Sequence, residues 1–260
     1  MKEKFKMEEI VLYEKKDKIA VVTVNRADAL NALNKDVNLA LLDCLDKAAA
    51  DDDVRVVILT GSGNRAFIAG ADIKEMLPLS SPEARDHGLR SKRVADKLWN
   101  LEKPVIAMID GFCLGGGLEY AMACDIRIAS EKSKFGLPEI TLGIIPGSAG
   151  TQRLPRLIGL TKAKELALTG EIFDAKLALD YGLVNHVVPS ETLAEKTYAL
   201  ADRIARQSAF SAKMVKTAMN KGTETDMETA SLFEINCFAL CFSTREQKEG
   251  MQAFVDKKKK

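Results

Sequence analysis

An α/β fold followed by a helical C-terminal region is predicted by three observations. Short apolar runs rich in β-formers recur at Ile19 to Val24, Val54 to Thr60 and Val105 to Ile109. Helical stretches lie between them, and the alternation of strand, helix and strand suggests right-handed crossovers and a largely parallel arrangement. Beyond Arg156 the chain turns almost wholly helical, with no segment rich in Pro, Gly or Ser at the change. The change therefore reads as a layer boundary rather than a linker. We place a mixed core over residues 1–195 and a helical region over 196–260.

Taken in order, Ile10 to Tyr13 and Ile19 to Val24 read as two strands joined by the polar turn Lys15-Lys16-Asp17-Lys18. After Ala29-Leu30-Asn31-Ala32-Leu33, Asn34 or Asp36 is placed to cap a helix. Leu39, Leu42, Leu45 and Ala49 give that helix its stripe over about residues 35–50. Val56-Val57-Ile58-Leu59 is the unbroken apolar run of a strand covered on both faces. Gly61-Ser62-Gly63-Asn64 turns the chain, and a helical stretch containing Trp99 ends before Pro104. Val105 to Ile109 is a buried strand stopped by Asp110-Gly111, and Gly115-Gly116-Gly117 opens a helix over Leu118 to Ala123. Asp125 begins a strand. Thr161 to Thr169 and Asp174 to Tyr181 are helical, Gly182 stops the latter, and Val184 to Val188 is one short strand. Helices follow near 190–206, 208–221, 226–240 and 244–255. No strong internal repeat is visible.

Composition excludes several classes. With 38 Lys and Arg against 37 Asp and Glu the net charge is +1, so nothing global recruits nucleic acid or an anionic membrane. No window approaches a membrane span. Five cysteines (Cys44, Cys113, Cys124, Cys237, Cys241) form no CxxC pair, which argues against a zinc site or disulfide framework; no metal is expected. Buried reduced thiols in a cytosol fit better. The opening MKEKFKMEEI lacks a signal-peptide core and is acidic for a transit peptide, so a cytoplasmic protein is expected. Lys257–Lys260 reads as a solvated tail.

The chemistry centres on Lys103 to Arg156. The glycine triplet sits at a strand-to-helix turn, where a backbone can approach a ligand and the first-turn N–H groups point outward. It is no P-loop, since Lys-Ser/Thr is missing, and Tyr120 stands where a dinucleotide fingerprint needs glycine. Glu119, so near the helix start, would also repel a phosphate. A second carboxylate, Glu139, follows between apolar neighbours in Leu137-Pro138-Glu139-Ile140.

Gly115-Gly116-Gly117-Leu118-Glu119, Cys124-Asp125, Phe135-Gly136-x-Pro138-Glu139, Gly143-x-x-Pro146-Gly147 and Gly150-Thr151-Gln152-Arg153-Leu154 together resemble the crotonase (enoyl-CoA hydratase) superfamily. Phe67-Ile68-Ala69-Gly70-Ala71-Asp72-Ile73-Lys74 carries a second signature. The C-terminal Glu246-Gln247-Lys248-Glu249-Gly250-Met251-x-Ala253-Phe254 also resembles the hydratases. The resemblance runs from about residue 9 to 257. It implies a crotonase-like ββα spiral core with a helical C-terminal region.

The resemblance also implies a reaction: reversible hydration of a short trans-2-enoyl-CoA, crotonyl-CoA-like, to the 3-hydroxyacyl-CoA. The amides of Ala71 and Gly116 would form an oxyanion hole. Glu119 and Glu139 match both catalytic glutamates, Glu139 exchanging the proton at C2 and Glu119 activating water. No cofactor is implied, coenzyme A being part of the substrate. Ala29, Leu30, Asp72, Ile73, Lys74, Gly147, Phe254 and Lys257 fall at positions expected to contact or frame the acyl-CoA. Met76 and Leu77 border either acyl chain or core.

A Δ3-Δ2 enoyl-CoA isomerase is the rival enzyme, although isomerases commonly keep only one of the two glutamates. Some family members bind RNA; near-neutral charge and the lack of a basic, aromatic-bearing segment argue against that here. A homo-oligomer, a hexamer built as a dimer of trimers, is expected from the resemblance. Phe233, Ile235, Phe238, Leu240 and Phe242 in the helical third need covering. His87 and His186 match no catalytic position, Asp125 reads as structural, and Cys113 as a small core residue.

Overall fold

The computed structural model describes residues 9–257. A six-stranded sheet forms the scaffold. Its first hairpin pairs β1 (Val11–Lys16) antiparallel to β2 (Ile19–Val24). The strands run through Lys15 and Lys16, so the turn is only Asp17-Lys18, with Asp17 in the left-handed region at φ 52°. A 3₁₀ turn at Ala27–Ala29 leads to α1 (Lys35–Ala50), capped by Asn34 Oδ1 accepting from the Val37 N–H at 2.8 Å.

From β3 onward the chain repeats one pattern three times: a strand in the large sheet, a three-residue strand in a second sheet, then a helix. The first turn is β3 (Val56–Gly61), β4 (Ala66–Ile68), α2 (Ile73–Met76) and α3 (Ser81–Asn100). The second is β5 (Val105–Ile109), β6 (Phe112–Leu114) and α4 (Gly116–Ala123). The third is β7 (Ile126–Ser130), β8 (Lys134–Gly136), a 3₁₀ turn at Pro138–Leu142, and α5 (Gly150–Ile158). In the large sheet β2, β3, β5 and β7 are parallel neighbours; in the small sheet β4, β6 and β8 are. This is a ββα spiral. The repeat is hidden in the sequence because strands of three residues are too short to show a period.

After α6 (Leu160–Thr169), β9 (Phe173–Asp174) closes the small sheet antiparallel to β8. Then come α7 (Ala175–Asp180) and β10 (His186–Val188), which joins the large sheet parallel to β7. Four helices end the chain: α8 (Leu193–Ala205), α9 (Ala209–Gly222), α10 (Met227–Cys241) and α11 (Arg245–Lys257). The expected boundary at residue 195 falls inside α8. Lys258–Lys260 of the lysine tail, and residues 1–8, lie outside the described residues.

The large sheet is covered on both faces, as the run at 56–59 predicts. Val57 and Leu59 face a core shared with Leu41 and Leu45 of α1, Val94 and Leu98 of α3, and Leu118 of α4. Val56 and Ile58 face the other way, onto Leu193, Ala201 and Ala205 of α8. Each fully buried Val, Leu or Ile contributes about 1.5–3 kcal/mol, so this double burial fixes the scaffold from which the small sheet hangs. The expected strand start at Asp125 holds one residue late. Asp125 Oδ2 accepts from the Val105 N–H at 2.7 Å and from Lys216 Nζ at 2.8 Å, a structural role.

The C-terminal helices α10 and α11 bury almost nothing of their own: only Cys237 is buried in α10 and no residue in α11. Ile235, Phe238 and Leu240 are all more than half exposed. Among the described residues, no helix is long and apolar enough to cross a membrane.

Candidate active site

Four segments meet where the small sheet abuts α4. Gly115 adopts φ 50°, ψ −126°, a conformation essentially restricted to glycine, and this folds β6 back into α4. Gly117 has a different reason to be glycine. A Cβ there would stand 2.1 Å from the Ile68 carbonyl oxygen, so the first turn of α4 is seated directly on β4.

That seating brings two backbone donors together. A Cβ built on Gly116 would lie 4.0 Å from the Ala71 nitrogen and 3.1 Å from Leu33 Cδ1. Among the described residues, neither the Ala71 nor the Gly116 N–H has a hydrogen-bond partner. Two free amides at the start of a helix, whose dipole adds positive potential, suit a carbonyl oxygen gaining negative charge.

The Ala71 segment is held from outside by the loop after β2. The Leu33 N–H donates to Gly70 O at 2.8 Å, and the Asp72 N–H donates to Leu33 O at 2.7 Å. Asn31 is fully buried at φ 58°. Its Oδ1 accepts from the Arg26 N–H, and its Nδ2 donates to Ser62 O and Ala66 O. Arg26 Nη2 lies 3.2 Å from Asp72 Oδ2, while Arg26 Nη1 donates to Ala32 O. Asp72 Oδ1 also caps α2 by accepting from the Lys74 N–H at 3.2 Å. The Asp72 carboxylate, expected at the acyl-CoA, is thus engaged in bracing the Ala71 segment. Sequence reading overlooked Asn31 and Arg26 in this role, because a loop asparagine and arginine carry no signal of what they will bridge.

Glu119 sits one turn into α4 and is 2 % exposed. Its Oε1 accepts from the Ser148 and Gly150 N–H groups, each at 2.6 Å. Ala149 between them takes φ 73°, which turns both amides onto one oxygen. Burial pushes the Glu119 carboxyl up, opposed by the amides of Gly150 and Ser148 and by the charge of Arg153. These amide donors were not foreseen: Gly150 was part of a matched motif with no role attached.

Glu139 lies on the 3₁₀ turn, against the glycine bend. A Cβ on Gly115 would fall 3.2 Å from Glu139 Oε1. Glu139 Oε2 is buried with no hydrogen-bond partner among the described residues. Burial first, and the Glu119 charge as well, push this carboxyl up to about 7. The two glutamates therefore face each other electrostatically, one gripped by amides and one without a partner for its second oxygen.

This has a consequence for stability. Unfolded, Glu139 would titrate near the ordinary value of about 4.3. Its folded affinity for a proton is higher, so its contribution is fully present below that value and is lost as pH rises through about 7. Glu139→Gln should therefore raise the melting temperature at pH 8 relative to wild type and leave it nearly unchanged at pH 4.5. Equal shifts at both pH values, by differential scanning fluorimetry, would show that the carboxyl is not held protonated.

The remaining expected positions scatter around this centre. Ala29 is exposed and Leu30 half-buried, on the loop that braces Ala71; Ile73 and Lys74 are exposed on α2. Leu77 is exposed and Met76 half-buried. Gly147 is exposed, with its carbonyl over Gly88 of α3. Lys74 and Lys257 have no ion-pair partner among the described residues. Phe254 and Lys257 ride on α11, which is tied through Glu246 to Ser208 and, at 3.7 Å, to Arg55. Phe254 is 61 % exposed. His87 is buried with Nδ1 3.5 Å from Glu75 Oε1, and His186 is exposed. Cys113 is fully buried, which drives its thiol well above the ordinary range, so it is no nucleophile. All five cysteines are unpaired; Cys44 and Cys241 are only partly buried.

Comparison with known proteins gives a consistent result. A family model described as enoyl-CoA hydratase/isomerase matches residues 14–260. A crotonyl-CoA hydratase from Syntrophomonas wolfei is 46 % identical over 251 residues, covering 96 % of each chain. A short-chain-enoyl-CoA hydratase from Clostridium acetobutylicum is 47 % identical over 249 residues, covering 96 % of this chain and 95 % of the relative. The crystal structure of an enoyl-CoA hydratase from Bacillus anthracis superposes with a TM-score of 0.93 at 38 % identity, covering 96 % of this chain and 97 % of the other.

Proposed function

This chain belongs to the enoyl-CoA hydratase/isomerase family, and from that premise we propose that it adds water across the 2,3 double bond of a short trans-2-enoyl-CoA. The observation that carries the reading is the pair of carboxylates beside two unpartnered amides. The thioester carbonyl oxygen accepts from the Ala71 and Gly116 N–H groups, which draws electrons from C3. Glu119, as the anion, takes a proton from water while the water oxygen bonds to C3. Glu139, protonated, gives its proton to C2. The reverse sequence dehydrates the 3-hydroxyacyl-CoA. Each amide is worth about 3–4 kcal/mol to the enolate-like transition state.

The positions around the centre divide by chemistry. The backbone at Ala29 and Leu30 lies along the adenine end of coenzyme A, and Lys74 and Lys257 meet its phosphates. Ile73 borders the thioester arm, Gly147 frames the Glu119 side, and Phe254 closes the site. Asp72 acts by holding Ala71 in place. The test is direct: incubation with crotonyl-CoA should bleach the enoyl absorbance. No bleaching, together with turnover of a 3-enoyl-CoA, would make the chain an isomerase instead.

The exposed apolar faces of α10 and α11 support a homo-oligomer, which we take to be a hexamer of two trimers, with α11 reaching toward a neighbouring chain. Light scattering at micromolar concentration should give a mass near six chains; a monomer would refute the assembly. Five unpaired cysteines fit a reducing compartment, and we place the protein in the cytoplasm.

A further inference from the structure

We propose that Arg153 is a positioning residue for hydration: it braces the Ser148–Gly150 turn that grips Glu119, and it sets a positive charge against that carboxylate. The inference rests on the role given to Glu119 above. Arg153 lies in the first part of α5, and its side chain is 12 % exposed. Its Nη1 donates to Ser148 O at 3.0 Å. The same residue's N–H is one of the two that hold Glu119 Oε1, so Ser148 is tied at one end to Arg153 and at the other to Glu119. The Arg153 N–H also donates to Ala149 O at 2.8 Å. Ala149, a non-glycine at φ 73°, keeps a sparsely populated conformation only where its surroundings impose it. The main-chain bond is the first helical bond of α5, which any residue there would make; the bond from the side chain to Ser148 O is what Arg153 itself adds to the turn.

A purely structural ion pair explains this residue poorly. Its acidic neighbour on α3, Asp96, stands 3.8 Å away, is 41 % exposed, and is already paired with Lys92. The guanidinium also lies 5.6 Å from the Trp99 ring of α3. The groups that face the pair are Asp96 from α3, Glu119 and the buried Tyr120 phenol from α4, the Cys124 thiol at the end of α4, and Glu139 opposite Glu119. Arg153 is the cation whose charge acts on Glu119. Glu119 must lose its proton beside a second carboxylate and with almost no solvent. A cation and two amides favour that, and Arg153 supplies the first and steadies the second.

The experiment compares Arg153→Met and Arg153→Lys by the pH profile of kcat/KM for crotonyl-CoA hydration. Butyryl-CoA affinity and melting temperature are measured alongside. Arg153→Met should move the acid limb upward by about one pH unit, so that its roughly tenfold deficit at low pH shrinks as pH rises, with butyryl-CoA affinity little changed. Arg153→Lys keeps the charge and should restore the limb. A wild-type profile, a loss equal at every pH, or a shift that Lys does not restore would overturn the proposal. Asp96→Asn gives an independent answer if Met is not tolerated. Removing that charge frees the guanidinium for Glu119, so the acid limb should move down by a few tenths of a unit; a limb that stays or rises overturns it. Glu119→Gln separates the two levels. If it hydrates at near wild-type rate, the role of Glu119 itself has failed; if it is inactive while Arg153→Met behaves as wild type, only the inference about Arg153 has failed.

Discussion

Glu119→Gln and Glu139→Gln are each expected to lower kcat for crotonyl-CoA hydration by about 10²–10⁴, the usual worth of a positioned acid or base. Glutamine keeps the shape but loses the charge and the exchangeable proton. Both groups act on the same water addition, so the double variant should fall far short of the product of the two losses. Acyl-CoA affinity should survive, because the carbonyl is held by backbone amides. The singles should part in one assay. Exchange of the C2 proton of butyryl-CoA into deuterated water should persist in part with Glu119→Gln, since that step adds no water, and almost vanish with Glu139→Gln. Near wild-type hydration by Glu139→Gln would place the acid elsewhere.

Gly117→Ala should have the second large effect, on the fold and through it on activity. The added methyl would stand 2.1 Å from the Ile68 carbonyl oxygen and 2.7 Å from Ile68 Cβ. The first contact is with backbone, which cannot rotate aside, so α4 must lift from β4. Overpacking of this kind costs about 3 kcal/mol or more. In a chain of this size that is a fall in melting temperature on the order of 10 °C. Activity should drop further than stability, because both the Gly116 amide and Glu119 move with the helix. A melting temperature within a degree of wild type would show that α4 is not seated as closely as described. Gly143→Ala is the contrast for space alone: nothing lies within 4 Å of its added methyl, although φ 74° there will strain any side chain.

The scaffold was legible because it obeys simple periods. The run at 56–59 has one apolar residue after another, and the structure covers both its faces. The Asn34 cap follows from local chemistry alone, but the stripe of α1 was read about one position off. Val37, Leu41, Leu45 and Ala48 are buried, whereas Leu39 and Ala49 are exposed and Leu42 is half-buried, because the sheet and α3, not the helix alone, decide which face turns inward. The second sheet was not legible: β4, β6 and β8 are three residues each and gain their definition only by stacking on one another. The candidate chemical residues came from motifs, and the structure sets Glu139 against the glycine bend and the Gly116 backbone near Ala71. What holds them was out of reach. The bonds from Ser148 and Gly150 to Glu119 span 29 and 31 residues, and Arg26 reaches Asp72 across 46. No local pattern encodes a partner at that distance. Asp72 illustrates the limit: an exposed-looking carboxylate in a signature segment turned out to be committed to an arginine and a helix cap.

One helical turn separates Gly116 from Glu119, and both belong to α4. At 1.5 Å per residue the rise between them is about 4.5 Å. In the reaction proposed above, the helix would serve as a ruler laid along the substrate. Its zero mark would be the carbonyl oxygen at the Gly116 amide, and its first graduation would fall where the attacking water must stand to reach the β-carbon. Side chains can be exchanged along this edge, and the chemistry redirected, without altering the interval. What the geometry forbids is independent drift of the backbone: the Gly116 amide and the Glu119 Cα cannot change their spacing unless the helix itself unwinds.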